Sequence, residues 1–447
     1  MWGGLGETKL TILPKVGFAA EIENWGKTRG PLIIGVAGAG QMSCDLVVNL
    51  SLMAGVKLGV ICARGEQARE AALMGGGEET FAFAPHASAI DRVIDSGRIA
   101  LTEDYKEMCA SGRVDVIVDA TGNPNVGALV ALETVKNGKH IVMLNVEADI
   151  TIGRYLKEEA RKAGVVYTGA AGDEPAAILE LISFAQSVGL EVIAAGKGKN
   201  NALKYDATPA EFEQEARERN MSARMLVEFV DGSKTNVEMT AVANATGLTP
   251  DLPGMHGPAA PYDVIAQVLC GREDGGILSR TGCVDYTIGK GVAPGVFCIV
   301  KPRHARQIER MSDLKVGPGP CFALVRPFHL TSIEVPLSAI RAVKYRQPDI
   351  EPLDRPVAEC TALAKRDIAA GETLGRIGTY DYRGYAMTWR DAREKGALPM
   401  GVAERAKVLK PIRKGEQLTY ENCTPDDSLL VTQIRRRLDQ SDARFMD

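Results

Sequence analysis

Short apolar runs alternate with stretches of helical period between residues 31 and 168. Pro31-Leu-Ile-Ile-Gly-Val-Ala37 is apolar at successive positions, the pattern of a parallel strand covered on both faces. Strands of the same kind are expected at Val56–Cys62, Val114–Asp119, His140–Leu144 and Val165–Thr168. Helical patterns fall between them at Met42–Met53, Arg64–Leu73, Asn125–Asn137 and Tyr155–Ala163, with a lead-in helix over Phe18–Trp25. Such alternation predicts an α/β fold whose N-terminal part is a Rossmann-type, doubly wound parallel sheet.

The pattern changes after Thr168. An amphipathic helix over Pro175–Val188 precedes a strand at Glu191–Gly196 and a charged helix at Pro209–Met221. A stretch dense in Gly, Pro and Asp follows from Thr246 to Pro261, as binding loops often are. Strands resume near Tyr286–Ile288, Val296–Ile299 and Cys321–Val325, so this part reads as α+β. The last hundred residues hold two related segments, Ala364–Leu374 and Leu409–Leu418, that share Gly-Glu-x-Leu. They predict a small β module with Gly371 and Gly415 at equivalent turns of positive φ. Short charged helices are expected at Arg390–Lys395 and Gln433–Asp439. The division expected is 1–170 for a dinucleotide domain, 171–345 for an α+β catalytic and dimerisation domain, and 346–447 for the β module. The linker is placed near Gln347–Pro356.

Composition narrows the class. The 447 residues carry a formal net charge of −4, which argues against nucleic acid or an anionic membrane surface as the main partner. No apolar run approaches the ~18 residues a membrane span needs. The opening residues lack a basic segment ahead of an apolar core, so no secretory signal is expected. Nine scattered cysteines without a Cys-x-x-Cys pair read as reduced thiols of a cytoplasmic enzyme.

The candidate cofactor site is Gly35-Val-Ala-Gly38-Ala-Gly40-Gln41-Met42-Ser43, where the first strand gives way to a helix. Backbone N–H groups at a helix N-terminus face a pyrophosphate, and side chains there block its approach. Gly38 suits the tight turn and Gly40 the close approach, while Ser43 replaces the third glycine of the usual fingerprint. The acid expected at the end of the second strand of an NAD enzyme is absent. Arg64 stands there instead and can pair with a 2′-phosphate, which selects NADPH. Thr121 and Gly122 end a later strand and Asn145 and Glu147 the next, on the side where a nicotinamide and its substrate lie.

Reacting groups are expected further on. Asp173 and Glu174 open a helix at Gly172-Asp-Glu-Pro175, either as helix-terminus acids or as a hard-cation ligand or proton carrier. Lys197 and Lys199 sit between glycines in a loop, Gly196-Lys-Gly-Lys-Asn200-Asn201, with Lys204 in reach. Close like charges call for an anion between them or for one lysine to lose its proton. Asn244 and His256 lie on segments that could close over a substrate.

These motifs resemble homoserine-dehydrogenase-like oxidoreductases, and the Gly-Glu-x-Leu tail resembles an SAF domain of the β-clip kind. The combination resembles the deoxyxylulose-phosphate-reductoisomerase-like family. That resemblance implies NADPH-dependent conversion of 1-deoxy-D-xylulose 5-phosphate to 2-C-methyl-D-erythritol 4-phosphate in isoprenoid-precursor synthesis. It further implies a divalent cation, Mn²⁺ or Mg²⁺, on Asp173 and Glu174, a phosphate or proton role for Lys197, Lys199 and Lys204, and a homodimer through the middle sheet. The alternatives are an oxidoreductase of another sugar phosphate, a sugar acid or homoserine, and a non-enzymatic assembly protein built on the tail.

Replacing Arg64 with Asp is expected to raise KM for NADPH more than KM for NADH. Steady-state kinetics with both cofactors check this, and an unchanged ratio contradicts the assignment.

Overall fold

Seven strands, all parallel, form the first sheet of the computed structural model, which describes residues 13–219 and 221–446. The opening twelve residues, on which the reading of no signal rests, lie outside the described residues. In chain order the elements are α1 (Gly17–Arg29), β1 (Leu32–Ala37), α2 (Gln41–Leu52), β2 (Val56–Cys62), α3 (Gly65–Gly75) and β3 (Phe81–Phe83). Then come α4 (Ala87–Asp95), β4 (Ile99–Thr102), α5 (Tyr105–Ala110), β5 (Val116–Asp119), α6 (Pro124–Lys136), β6 (His140–Met143), α7 (Val146–Lys162) and β7 (Tyr167–Gly169). The strand order is β3-β4-β2-β1-β5-β6-β7, so the sheet winds outward in both directions from β1. This is the Rossmann-type arrangement that the alternating pattern predicts.

The chain continues with α8 (Glu174–Ser187), β8 (Glu191–Lys199), α9 (Glu213–Glu218), α10 (Ala223–Val230), α11 (Ser233–Thr246), β9 (Thr249–Pro250) and α12 (Ile265–Val268). It closes the middle part with β10 (Cys283–Ile288), β11 (Val296–Lys301), α13 (Ala305–Asp313), β12 (Phe322–Arg326) and α14 (Val335–Ile340). The second sheet, β12-β11-β8-β10-β9, is mixed: β8 runs parallel to β10 and antiparallel to β11. On one face Ala195, Val284 and Cys298 pack against Ile178 and Ile182 of α8 and Met239 and Val242 of α11. On the other, Ile193 and Phe297 pack against Ile265 and Leu269.

The last part holds β13 (Ala358–Ala364), β14 (Tyr382–Thr388), α15 (Trp389–Glu394), β15 (Lys407–Val408), β16 (Cys423–Thr424) and α16 (Leu430–Asp442). Gly371 and Gly415 both take positive φ, +91° and +86°. Between the two related segments, Ile368 and Ile412 exchange backbone hydrogen bonds of 2.8 and 2.9 Å. Distant segments also complete the first sheet. Val335 and Ala339 of α14 join the core beside α2, and Val431 and Ile434 of α16 join the core on the other side.

Three expectations need correction. The segment between Gly77 and Arg113, without a predicted element, contains two strands, two α-helices and a short 3₁₀ turn. Its strands are only three and four residues long, too short for a period to show. The turn at Asn145–Glu147 is the start of α7, because the Asn145 side chain caps that helix by accepting from Ala148 N at 3.1 Å. The strand expected to stop at Gly196 runs on to Lys199.

α16 carries a buried ion pair between Arg435 and Glu359, with side chains 7% and 5% exposed. Removing one member of such a pair strands the other charge. Arg435→Met is therefore expected to lower unfolding stability by about 3–5 kcal/mol, measured by denaturant titration followed by circular dichroism.

Candidate active site

The turn after β1 shows why its glycines are needed. Gly38 has φ +107°, and a Cβ on it would stand 2.8 Å from the Ala120 carbonyl oxygen. Gly40 is the N-cap of α2, and no atom lies within 4 Å of where its Cβ would be. The free N–H groups of a twelve-residue helix thus open onto bare backbone, which fits a dinucleotide pyrophosphate. Gly35 plays another part. It lies in β1 and admits Val60, Met108 and Val114, so it is a packing glycine and not a cofactor contact.

Beyond the turn lies a crevice of about 280 Å³, lined by Gly40, Gln41, Met42, Thr121 and Gly122 on one side and Glu147, Lys234 and Phe229 on the other. Asp119 shapes it from beneath. Its fully buried carboxylate accepts from Thr121 N at 3.1 Å, Thr121 Oγ1 at 2.7 Å and Asn145 Nδ2 at 3.1 Å. Burial pushes the Asp119 carboxyl up to about 6 against these bonds. Asn145, 1% exposed and spent on these bonds and on capping α7, braces the crevice instead of facing it. Arg64 is exposed at the N-cap of α3, at the end of β2. The structure adds an acid that the chain order hides: Glu103 comes over from the end of β4 and accepts from Gly65 N at 2.6 Å.

A second cleft of about 360 Å³ adjoins the crevice, and Lys234 and Phe229 line both. Lys197 and Lys199 reach it from a strand, not from the flexible loop that their flanking glycines suggested. Gly196 and Gly198 point to the opposite face, where a Cβ would overlap the carbonyls of Asp285 and Val292. The glycines therefore permit close backbone approach and leave both lysines on the face toward α8 and α11. The Lys197 ammonium bonds to both Glu174, in the first turn of α8, and Glu238, on α11. Glu238 is fully buried, and its Oε1 has no hydrogen-bond partner. Lys234 Nζ lies 3.7 Å from that oxygen and 3.8 Å from Glu147 Oε1. His329 points Nδ1 at the Gly172 carbonyl, 2.9 Å away, and Nε2 at Glu174 Oε1, 3.3 Å away. Lys199 donates to the Phe229 carbonyl.

The electrostatics divide these groups by role. Burial and then the neighbouring Lys197 bring Lys199 down to about 8, within range of proton exchange near neutrality. Lys197 goes the other way: burial opposes its charge, but Glu174 and Glu238 outweigh it and hold the proton firmly. Burial likewise pushes Glu174 up, and Lys197 and His329 overcome it, keeping that carboxylate ionised. Burial, with Glu174 and Glu238 beside it, drives the Asp173 carboxyl well above the usual range.

Asp173, Glu174 and Glu238 present oxygens within 4.8 Å of one another, the spacing of a cation site. Yet the Lys197 ammonium already bridges two of the three, and Asp173 is driven toward its neutral form. As arranged, the group is a lysine–carboxylate cluster, and a divalent cation held by Asp173 and Glu174 does not fit beside Lys197.

The remaining candidates separate. Asn200 lines the cleft. Lys204 is turned outward, half-exposed and paired with Glu211, because the chain bends away after β8. Asn244 Oδ1 accepts from Val357 N and Ala358 N, both at 3.0 Å, and anchors the start of β13. His256 pairs with Asp251 at 2.8 Å and lies outside the cleft lining. Lys234, Glu238 and His329 were missed. Lys234 and Glu238 had a signal, an i, i+4 pair of opposite charge in an otherwise uncharged segment; His329 had none.

Two family models match the sequence. Residues 172–335 match the catalytic domain of oxidoreductase DRL, and residues 52–168 match the NAD-binding domain of homoserine dehydrogenase. No curated protein matches. A probable dehydrogenase from Thermotoga maritima shares 15% identity and a TM-score of 0.41, over 71% of this chain and 90% of its own. The myo-inositol 2-dehydrogenase of Lactobacillus plantarum shares 13% and 0.31, over 67% and 71%. A 3-ketoreductase from Actinomadura kijaniata, solved with NADP, shares 14% and 0.27; this chain spans about half its length, 48%, with 39% of its own. Likenesses at these scores carry no argument about substrate. The two domain matches make the chain an NAD(P)-dependent oxidoreductase.

With Lys199 as proton donor, kcat/KM for carbonyl reduction is expected to be level below pH of about 8 and to fall above it, as the ammonium deprotonates. A pH–rate profile checks this. Lys199→Ala is expected to lower kcat/KM at least about a hundredfold and to abolish that limb.

Proposed function

We propose that this protein uses NADPH to reduce the carbonyl of a small sugar phosphate. The observation that carries the reading is the meeting of the cofactor crevice and the lysine cleft at Lys234 and Phe229. When bound, NADPH supplies the hydride. Lys199 gives a proton to the carbonyl oxygen as negative charge develops there. Lys197 keeps its proton and holds Glu174 and Glu238 in place, while Lys234 orients the substrate oxygens at the border with the crevice. Arg219, Asn200 and Asn201 line the cleft with Lys199 and suit an anionic tail such as a phosphate. Arg64 favours NADPH over NADH, although Glu103 stands close by.

A narrower second reading is reductoisomerisation of 1-deoxy-D-xylulose 5-phosphate. The specific observation in its favour is the three-carboxylate group of Asp173, Glu174 and Glu238. It requires a cation to displace the Lys197 ammonium, so the two readings differ in metal dependence. The matched domains are those of enzymes, which sets aside the non-enzymatic assembly protein.

The test is NADPH oxidation with 1-deoxy-D-xylulose 5-phosphate and other ketose and aldose phosphates, and NADP⁺ reduction with homoserine and sugar acids, each with a chelator or with Mn²⁺ or Mg²⁺. Turnover of a sugar phosphate in the chelator supports the first reading. Turnover of the deoxyxylulose ester only with metal supports the second. Turnover confined to unphosphorylated substrates contradicts both.

A further inference from the structure

Both domain matches stop by residue 335, so neither assigns a role to the last quarter of the chain. That part is nevertheless built into the cleft. β14 donates backbone hydrogen bonds to the first turn of α11, from Gly384 N to Ser233 Oγ at 2.9 Å and from Ala386 N to Asn236 Oδ1 at 3.0 Å. Gly378, with φ +75°, packs so closely on α10 that a Cβ there would stand 2.5 Å from the Arg224 carbonyl and 2.7 Å from Glu228 Cγ. Arg224 Nη1 donates to the Ile377 carbonyl at 3.1 Å, and Ile377 lines the cofactor crevice.

At the centre of this contact lies an ion pair with almost no access to water. Lys365 Nζ, 1% exposed, is 3.1 Å from Asp231 Oδ2, whose side chain is fully buried. Lys365 also donates to the Thr379 carbonyl at 2.8 Å. The other oxygen of Asp231 accepts from Ser233 N at 2.9 Å. Asp231 thus ties together the end of α10, which carries the Phe229 carbonyl that Lys199 bonds, and the start of α11, which carries Lys234 and Glu238.

We propose that Lys365 is a positioning residue: through Asp231 it sets the α10–α11 turn, and so fixes Lys199 and Lys234 against each other across the cleft. The C-terminal module then completes the active site without touching substrate. The proposal rests on the reading of Lys199 and Lys234 as working groups. The physical warrant is that a carboxylate buried this deeply stays put only while its counter-charge is present. Remove the ammonium, and Asp231 must take a proton or draw in water, either of which loosens the turn. Remove both charges, and the strain goes with them.

The test uses the full-length protein in three variants: Lys365→Met, Lys365→Arg and the double variant Lys365→Met with Asp231→Asn. Amide hydrogen exchange over residues 223–238 reads the turn directly and needs no substrate, so it separates this proposal from the choice of reaction. Lys365→Met is expected to speed exchange there at least about tenfold. In turnover it should lower kcat by about tenfold or more while leaving KM for NADPH within about twofold. Lys365→Arg, and the double variant, should recover most of both. Unchanged exchange in Lys365→Met overturns the proposal, as does a double variant impaired as much as the single one. If Lys365→Met does not fold, recovery in the other two supports the proposal, and failure of both overturns it.

Discussion

One buried ammonium holds the middle of this molecule together. Lys197 lies between Glu174 and Glu238, three charged groups taken out of water at the meeting of α8, β8 and α11. Charges so buried are tolerated only when paired and hydrogen-bonded. The surrounding fold follows from that demand. Gly196 and Gly198 let neighbouring backbone come close on one face so that Lys197 and Lys199 share the other. The start of α8 sets Glu174 at the cleft, and α11 supplies Glu238 and Lys234 one turn apart. Because Lys197 retains its proton, its charge adds to burial in lowering Lys199, and two lysines of one strand acquire different tasks.

The first sheet addresses a different constraint. A dinucleotide needs bare backbone at a helix N-terminus, and the Gly38–Gly40 turn provides it. Asp119 then orders the neighbouring strand ends by taking up Thr121 and Asn145, so the crevice wall beside the turn is fixed before any ligand arrives. The crevice and the lysine cleft meet at Phe229 of α10 and Lys234 of α11, and the C-terminal module packs on those two helices.

What the sequence revealed divides along physical lines. The parallel sheet and the cofactor turn were legible because their signals are local: apolar runs, and glycines at a strand-to-helix junction. The positive φ of Gly371 and Gly415 was legible from a repeated segment for the same reason. The candidate lysines were identified but their setting was misread, since glycines in a strand and glycines in a loop look alike until the neighbouring strand is known. Glu103, His329 and Lys365 were not legible at all. Each reaches its place through long-range packing, from another strand end, a loop after the second sheet, or a module more than a hundred residues downstream. Asn244 and His256 were credited with substrate contacts, whereas Asn244 holds the start of β13, more than a hundred residues downstream, and His256 pairs with Asp251.

The central claim is that the crevice and the cleft are one active site, joined at Lys234 and Phe229. A crystal structure with NADP⁺ tests it most directly. The account predicts the pyrophosphate at the Gly38–Gly40 turn and the nicotinamide ring against Thr121 and Gly122, with its reactive face open toward Lys234 and Lys199. A nicotinamide directed away from Lys234, or walled off from the cleft by α10, contradicts it.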